Sequence, residues 1–162
     1  MHDASGSWRL SIAEIGERAP FSSLPGRDRI LVVAEGEVLL RVDGDESRLV
    51  AGEAREFRGE SEASAVAVGH PAQVVNLMVV RGSAEFHASG PHHVRELDAP
   101  RGEDEIVLVL WRGLTLDGHS VEPGTALVRA TPDSSPRDEG ASGLLRFPEP
   151  VLAYRLSVRQ LR

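Results

Sequence analysis

Residues 35–44 read Glu-Gly-Glu-Val-Leu-Leu-Arg-Val-Asp-Gly, and this stretch decides the fold class. Residues 38–42 form a short apolar run of the kind that predicts a β-strand. Asp43-Gly44 ends the run, and this dipeptide supplies the positive φ that a tight hairpin needs. Leu49 and Val50 are apolar again, and residues 48–50 predict the returning strand.

Outward from this hairpin, the chain repeats one pattern of short apolar runs separated by Gly, Pro and acidic residues. That pattern is typical of an all-β protein. The predicted strands cover residues 8–12, 30–34, 38–42, 48–50, 54–57, 63–68, 74–81, 85–87, 93–97, 106–111, 114–116, 126–130 and 151–161. A turn at Gly90-Pro91 is predicted between two of these strands. Residues 131–143 are polar, with Pro and Gly, and predict a flexible loop.

A second segment is similar to the first hairpin. Residues 112–118 end in Asp117-Gly118, and residues 121–128 return with a Gly before the next strand. The two Asp-Gly pairs lie about half a chain length apart. Two interpretations remain open, a tandem duplication of a small antiparallel barrel and two unrelated hairpins.

The composition excludes several kinds of chemistry. The chain has 162 residues, a length that favours a single compact unit. It has no Cys, so disulfides and thiolate chemistry are excluded. All 18 basic residues are Arg, which excludes Schiff-base lysine chemistry. The net charge of −7 argues against a nucleic-acid partner.

Neither an export signal nor a membrane span is visible in the sequence. The N-terminal residues lack a basic segment followed by an apolar run. No apolar run approaches the roughly 20 residues of a membrane-spanning helix. We therefore expect a cytoplasmic protein without a membrane partner.

Residues 19–29 are unlike the rest of the chain and read Ala-Pro-Phe-Ser-Ser-Leu-Pro-Gly-Arg-Asp-Arg. Two prolines and a glycine restrict the backbone here, so side chains are held in place at little entropic cost on binding. The residues presented near the start of a buried strand are Phe21, Ser22, Arg27 and Arg29.

Other candidate residues lie downstream in apolar surroundings. Asn76 sits within an apolar strand and needs partners, either from a ligand or from a neighbouring strand. Arg27, Arg29 and Arg81 suit a carboxylate ligand. The alternative is an internal ion pair, of Arg29 with Asp28 or of Arg81 with a nearby Glu. Phe57 belongs either to the core or to the mouth of a barrel.

Over residues 8–82 the chain resembles the HutD/Ves family. The positions that carry the resemblance are Trp8, Ser11, Pro20-Phe21-Ser22, Pro25-Gly26, Asp28-Arg29, Gly36, Phe57, Gly59, Asn76-Leu77-Met78 and Arg81-Gly82. It departs from the family at Ala19, where Gly is frequent, and at Val74, where an acidic residue is usual. The Val74 departure removes a partner for Asn76 or an Arg, which puts the ligand of this chain in question.

The resemblance implies a bicupin, in which two cupin-like antiparallel β-barrels (double-stranded β-helices) share one chain. Its approximate halves would be residues 8–82 and 83–162. Since the best-known members are encoded with histidine-utilisation genes, the resemblance also implies a pathway intermediate such as N-formylglutamate as ligand. No established catalytic activity comes with it.

The sequence thus predicts a non-enzymatic protein that binds a small carboxylate without metal or other cofactor. The six histidines do not form the His-x-His pattern, with a following Glu and a distant His, that metal-binding cupins use. The predicted ligand-binding residues are Phe21, Ser22, Arg27, Arg29, Phe57, Asn76 and Arg81. The alternatives are a metal-free cupin isomerase or lyase, and an interaction protein or homodimer that pairs through a sheet face.

Overall fold

The structure, a computed structural model, describes residues 6–82, 84–98, 105–110, 115–116, 119–120, 126–129 and 144–160. Within these ranges every helix or strand is a β-strand, which confirms the all-β prediction. The described residues include no helix long and apolar enough to span a membrane. The chain divides into two compact units, one of Met1–Glu85 with Gln160–Arg162 and one of Phe86–Arg159.

The strands of the first unit form two antiparallel sheets. They are β1 (Trp8–Ile15), β2 (Ala19–Pro20), β3 (Arg27–Glu35), β4 (Glu37–Val42), β5 (Asp45–Val50), β6 (Ala54–Arg58), β7 (Ala63–Ala67) and β8 (Ala72–Val80). Sheet I has the strand order β1-β8-β3-β6, and sheet II has the order β2-β7-β4-β5. Directly opposed residues of an antiparallel pair point to the same face, so the register assigns each side chain to a face.

The two sheets share one apolar core. Leu31 and Val33 of sheet I pack in one buried cluster with Val38, Leu40 and Val42 of sheet II. We call the sheet faces that meet in this cluster the inner faces. Burying a side chain of this size stabilises the fold by roughly 1.5–3 kcal/mol, so this cluster fixes which residues of each strand point inward.

The Asp43-Gly44 hairpin is confirmed. Asp43 has φ of 50° and Gly44 has φ of 93°, the two positive values of a type I′ turn. A two-residue turn forces the flanking residues to pair, and Val42 indeed pairs with Asp45. The returning strand β5 therefore begins at Asp45, earlier than predicted, although its first residues are polar.

The second unit contributes the remaining strands. They are β9 (Ala84–Asp98), β10 (Glu105–Leu110), β11 (Thr115–Leu116), β12 (His119–Ser120), β13 (Ala126–Arg129) and β14 (Leu144–Gln160). Four of them form a sheet in the order β13-β10-β14-β9, and β11 pairs antiparallel with β12. The predicted turn at Asp117-Gly118 and the predicted loop at 131–143 lie outside the described residues.

Two strand predictions in this unit were wrong. The turn at Gly90-Pro91 is absent, because β9 runs through both residues without interruption. The last strand begins at Leu144, ahead of Pro148 and Pro150, and not at Val151. Proline is tolerated in a strand where its missing N–H is not needed, and the ladder to β10 begins only at Leu152.

Candidate functional site

The inner face of sheet I becomes polar toward the start of β3. Val33 and Leu31 pack in the core, and the next residue on that face is Arg29. Arg29 is only 4% exposed. Arginine is almost never this deeply buried unless something compensates its charge. Arg29 is therefore the residue around which a site has to be sought.

Two aromatic rings flank the Arg29 guanidinium. Its central carbon lies 5.7 Å from the centroid of the Phe21 ring and 6.0 Å from that of Phe57. The two rings lie 6.1 Å apart and are tilted by 55° to one another. Both distances are within the range of a cation–π contact. The rings give the cation partial compensation and screen it from water on two sides.

The hydrogen bonds of Arg29 leave much of its donor capacity unused. Its Nη2 donates to the carbonyl oxygen of Ser22, while its Nε is buried without a partner. A guanidinium carries five N–H donors and stays charged in proteins, although burial lowers the pKa of Arg29 from its ordinary value. Among the described residues no carboxylate forms an ion pair with Arg29. The alternative of an internal ion pair with Asp28 finds no support, because Asp28 pairs with Arg81.

Asn76 lies beside Arg29 on the same inner face. It is opposite Leu31 across the β8–β3 ladder, whereas Met78 is opposite Arg29, so Asn76 and Arg29 are diagonal neighbours. Such neighbours lie about 7–8 Å apart. Asn76 is 6% exposed, and its Oδ1 is buried without a partner. One unsatisfied donor and one unsatisfied acceptor thus belong to neighbouring residues on the same inner face.

The loop that carries Phe21 is pinned by backbone hydrogen bonds. The Phe21 N–H donates to the Ala63 carbonyl at 2.9 Å, and the Leu24 N–H donates to the Gly59 carbonyl at 2.8 Å. The Gly59 N–H in turn donates to the Arg27 carbonyl at 2.7 Å. The restricted loop predicted from its prolines therefore has its ends fixed to the strand–turn segment around Gly59, which holds Phe21 over Arg29.

Val74 shows how the apolar part of the inner face adjoins the site. It is fully buried, belongs to the core cluster and lies opposite Val33. Asn76 follows two residues later on the same face. A carboxylate at position 74 would stand beside Asn76 on this face, so the valine puts an apolar group where an acid would adjoin the site.

Ser22 and Arg27 sit at the edge of the site. Ser22 is exposed, and the atom that it gives to Arg29 is its backbone carbonyl and not its hydroxyl. Arg27 is the first residue of β3, lies on the same face as Arg29 and is partly exposed. Phe21, Phe57, Arg29 and Asn76 are thus brought together, with Arg27 on the rim.

Arg81 lies away from this group in an exposed ion-pair network. Its Nη2 is 2.6 Å from Asp28 Oδ1, and its Nη1 is 2.8 Å from Glu60 Oε1. Asp28 precedes Arg29 on β3 and so points to the opposite face of sheet I. The hydrogen bond from Arg81 holds the pKa of Glu60 at about 2, below its ordinary 4.5. Of the two alternatives for Arg81, the ion pair is the one that the structure contains.

The low pKa of Glu60 predicts a pH-dependent contribution to stability. Since its folded-state pKa is depressed, Glu60 stabilises the fold fully above about pH 4.5, and this contribution is lost as pH falls toward 2. We expect Glu60→Gln to lower the melting temperature slightly at pH 7, and its difference from the wild type to shrink steadily between pH 4.5 and 2.5. Thermal melts from pH 7 to 2.5 measure this, with Glu56→Gln as a control, because Glu56 forms no ion pair with the residues that the structure describes. A Glu60→Gln difference that does not change with pH would contradict the assignment.

Arg55 was not predicted as a site residue, yet it points to the same inner face. It lies opposite Leu31 on β6, two residues before Phe57, and is half-buried. Its Nη1 donates to the hydroxyl of Ser47 on sheet II. Period-two alternation from Phe57 places Arg55 on this face. The sequence does not single it out, because Arg55 and Glu56 put a charge on each face of the short predicted strand.

No metal site appears in the part of the chain that the structure describes. Among the described residues no group of three His, Asp or Glu side chains lies close enough together to hold a metal ion. His92 and His93 are both exposed and adjacent on β9, so their side chains point to opposite faces.

Solved structures of other proteins share this fold. A conserved protein of unknown function from Pseudomonas aeruginosa is 27% identical with a TM-score of 0.71, and the match covers 98% of this chain and 86% of that one. HutD from Pseudomonas fluorescens, determined in a formate condition, is 24% identical with a TM-score of 0.64 and coverages of 100% and 86%. A cupin 2 conserved barrel domain protein from Leptotrichia buccalis is 10% identical with a TM-score of 0.50 and coverages of 96% and 84%. The fold is therefore of the cupin type.

Within that class the sequence identifies the family. The HutD family profile matches residues 2–134, and the chain belongs to the HutD family. An uncharacterized 21.2 kDa protein encoded in the hutC 3′ region of Pseudomonas putida is 42% identical over 73 residues, which is 44% of this chain. The match spans 38% of the length of that curated relative.

Proposed function

We propose that this protein binds a small carboxylate at the inner face of the first unit and does so without catalysing a reaction. The observation that carries the proposal is Arg29, a buried cation without a carboxylate partner among the described residues. An anionic ligand would supply the missing charge and accept from the unused Nε–H. A carboxylate accepts two parallel N–H bonds from a guanidinium, which gives geometric specificity as well as affinity.

The surroundings of Arg29 favour binding over acid–base catalysis. The inner-face neighbours of Arg29 in the ladder are Phe57 and Met78, with Asn76 on the diagonal. None of these side chains titrates between pH 4 and 9. A metal-free isomerase or lyase needs an acid or base within hydrogen-bond reach of its substrate, and no Asp or Glu of the described residues forms an ion pair with Arg29.

N-formylglutamate is the first ligand to test. The chain belongs to the HutD family, and its curated relative is encoded next to hutC, which supports a role in histidine utilisation. This ligand offers carboxylates for Arg29 and an amide N–H that suits the Oδ1 of Asn76. In this proposal the two units are the cupin-like halves of a bicupin, and the ligand is held in the first of them.

Calorimetric titration tests the proposal. We expect the wild-type protein to bind N-formylglutamate and glutarate with dissociation constants in the micromolar range, and not to bind the neutral glutaramide at the same concentrations. Arg29→Ala should weaken binding of both anions by at least about 100-fold, the scale of a lost charge-assisted pair left without a replacement.

Arg48→Ala is the matched control. It removes the same charge from an exposed arginine that pairs with Glu37 on sheet II, and its affinity for either anion should equal that of the wild type. Absence of binding by the wild type, or equal losses in Arg29→Ala and Arg48→Ala, would overturn the proposal.

A further inference from the structure

The inner face holds a second guanidinium next to the first. Arg29 is opposite Phe57 in the β3–β6 ladder, and Arg55 is opposite Leu31, so the two arginines are diagonal neighbours on one face. That relation places the two residues about 7–8 Å apart. Both side chains are long enough to reach one bound molecule of a few carbon atoms.

Neither arginine is neutralised by a carboxylate of the described residues. Neither Arg29 nor Arg55 forms an ion pair there, and Arg55 donates to a neutral hydroxyl. Asp45 lies on the inner face of sheet II, opposite Val42, but is exposed and pairs with neither arginine. Two like charges on one partly buried face repel each other, and the repulsion is relieved when anionic groups lie between them.

Ser47 fixes the position of the second guanidinium. Its hydroxyl on β5 accepts from Arg55 Nη1, which joins the edge strand of sheet I to the edge strand of sheet II. The bond takes one of the five guanidinium donors and leaves the others for a ligand. The hydroxyl proton of Ser47 is a further donor at the same place.

We infer that Arg55, held by Ser47, forms a second anion subsite, and that the ligand is a dicarboxylate with one carboxylate on Arg29 and the other on Arg55. The inference rests on the proposed function, since it adds a subsite to the binding site built on Arg29. It assigns to Arg55 the selection of dianions over monoanions, a role distinct from holding the carboxylate at Arg29.

Titrations with glutarate and its monoamide, glutaramate, separate the two subsites. Both have the same carbon skeleton, but only glutarate carries two carboxylates. We expect the wild type to prefer glutarate by about 10- to 100-fold, the scale of one charge-assisted hydrogen-bonded pair. Arg55→Met should reduce this preference to less than about 3-fold by weakening glutarate alone, and Ser47→Ala should reduce it in part.

Arg58→Met is the matched control, because Arg58 is on the same strand but opposite Asp28, on the outer face. It removes the same charge and should keep the full preference for glutarate. Melting temperatures show whether each variant is folded. Equal affinities of the wild type for glutarate and glutaramate, or an unchanged preference in Arg55→Met, would overturn the second subsite. Binding of glutarate and glutaramate that depends on Arg29 would then still support the proposed function. Absence of any binding would overturn the proposed function and the second subsite together.

Discussion

Arg29→Met is expected to abolish carboxylate binding and to make the ligand-free protein more stable. The two effects have one cause. In the ligand-free protein the buried guanidinium has lost its hydration and has an unpartnered Nε, a condition that costs about 1–3 kcal/mol. Methionine fills a similar volume with an apolar chain and removes this cost.

The loss of smaller favourable contacts opposes this gain in stability. The variant loses the contacts of the cation with Phe21 and Phe57, each on the order of 0.5–1 kcal/mol, as well as the bond to the Ser22 carbonyl. Ser22 is exposed, so water can replace that bond. We therefore expect a net stabilisation of about 1 kcal/mol, which raises the melting temperature of a chain this long by about 2–4 °C.

Thermal melts with and without glutarate measure both effects at once. The wild type should gain stability with ligand concentration, and Arg29→Met should start higher and gain nothing. Arg48→Met, at an exposed ion pair, should have nearly the melting temperature of the wild type and respond to ligand as the wild type does. A clear loss of stability in Arg29→Met would mean that Arg29 has a structural role.

Much of the first unit could be predicted from the sequence because its strands carry local signals. The run from Val38 to Val42 and the Asp43-Gly44 turn are defined by neighbouring residues, and the structure contains both. The turn predicted at Gly90-Pro91 shows the opposite case. Gly and Pro are both compatible with an extended backbone, so only the pairing of β9 with its neighbour decides between a turn and a strand.

The site was predictable only in part, because it depends on contacts between distant residues. The restricted loop and the polar Asn76 in an apolar strand pointed to Phe21 and Asn76, which the structure brings next to Arg29. Nothing local distinguishes Arg29 from Arg81. Arg81 is exposed and paired, whereas Arg29 is buried without a carboxylate partner among the described residues. The difference arises because the fold brings Asp28 and Glu60, which are far from Arg81 in sequence, beside Arg81.

Gly59→Ala is expected to damage both the fold and the site. A Cβ at position 59 would lie 2.3 Å from the Leu24 carbonyl oxygen and 2.8 Å from the Arg27 carbonyl oxygen, and real Cβ atoms do not approach other atoms so closely. Both obstacles are backbone atoms, so no side chain can turn aside. The loop that begins at Phe21 would have to move away, and its hydrogen bonds to Gly59 would be lost.

We expect this substitution to cost about 2–4 kcal/mol, which combines overpacking with the loss of two backbone hydrogen bonds. Because the same loop holds Phe21 over Arg29, affinity for glutarate should fall at least about 10-fold in the fraction that remains folded. Urea unfolding measures the loss of stability, and the m-value should equal that of the wild type. Calorimetry measures the affinity for glutarate.

Gly16→Ala provides the comparison. Gly16 is exposed just after β1, has no positive φ, and a Cβ there would meet nothing within 4 Å. Its stability and its glutarate affinity should remain within about 0.5 kcal/mol of the wild type. The contrary result is a Gly59→Ala variant that is as stable as Gly16→Ala and binds glutarate equally well. The site would then be intact although the loop is displaced from Gly59, and the pinned loop would not be what holds Phe21 against Arg29.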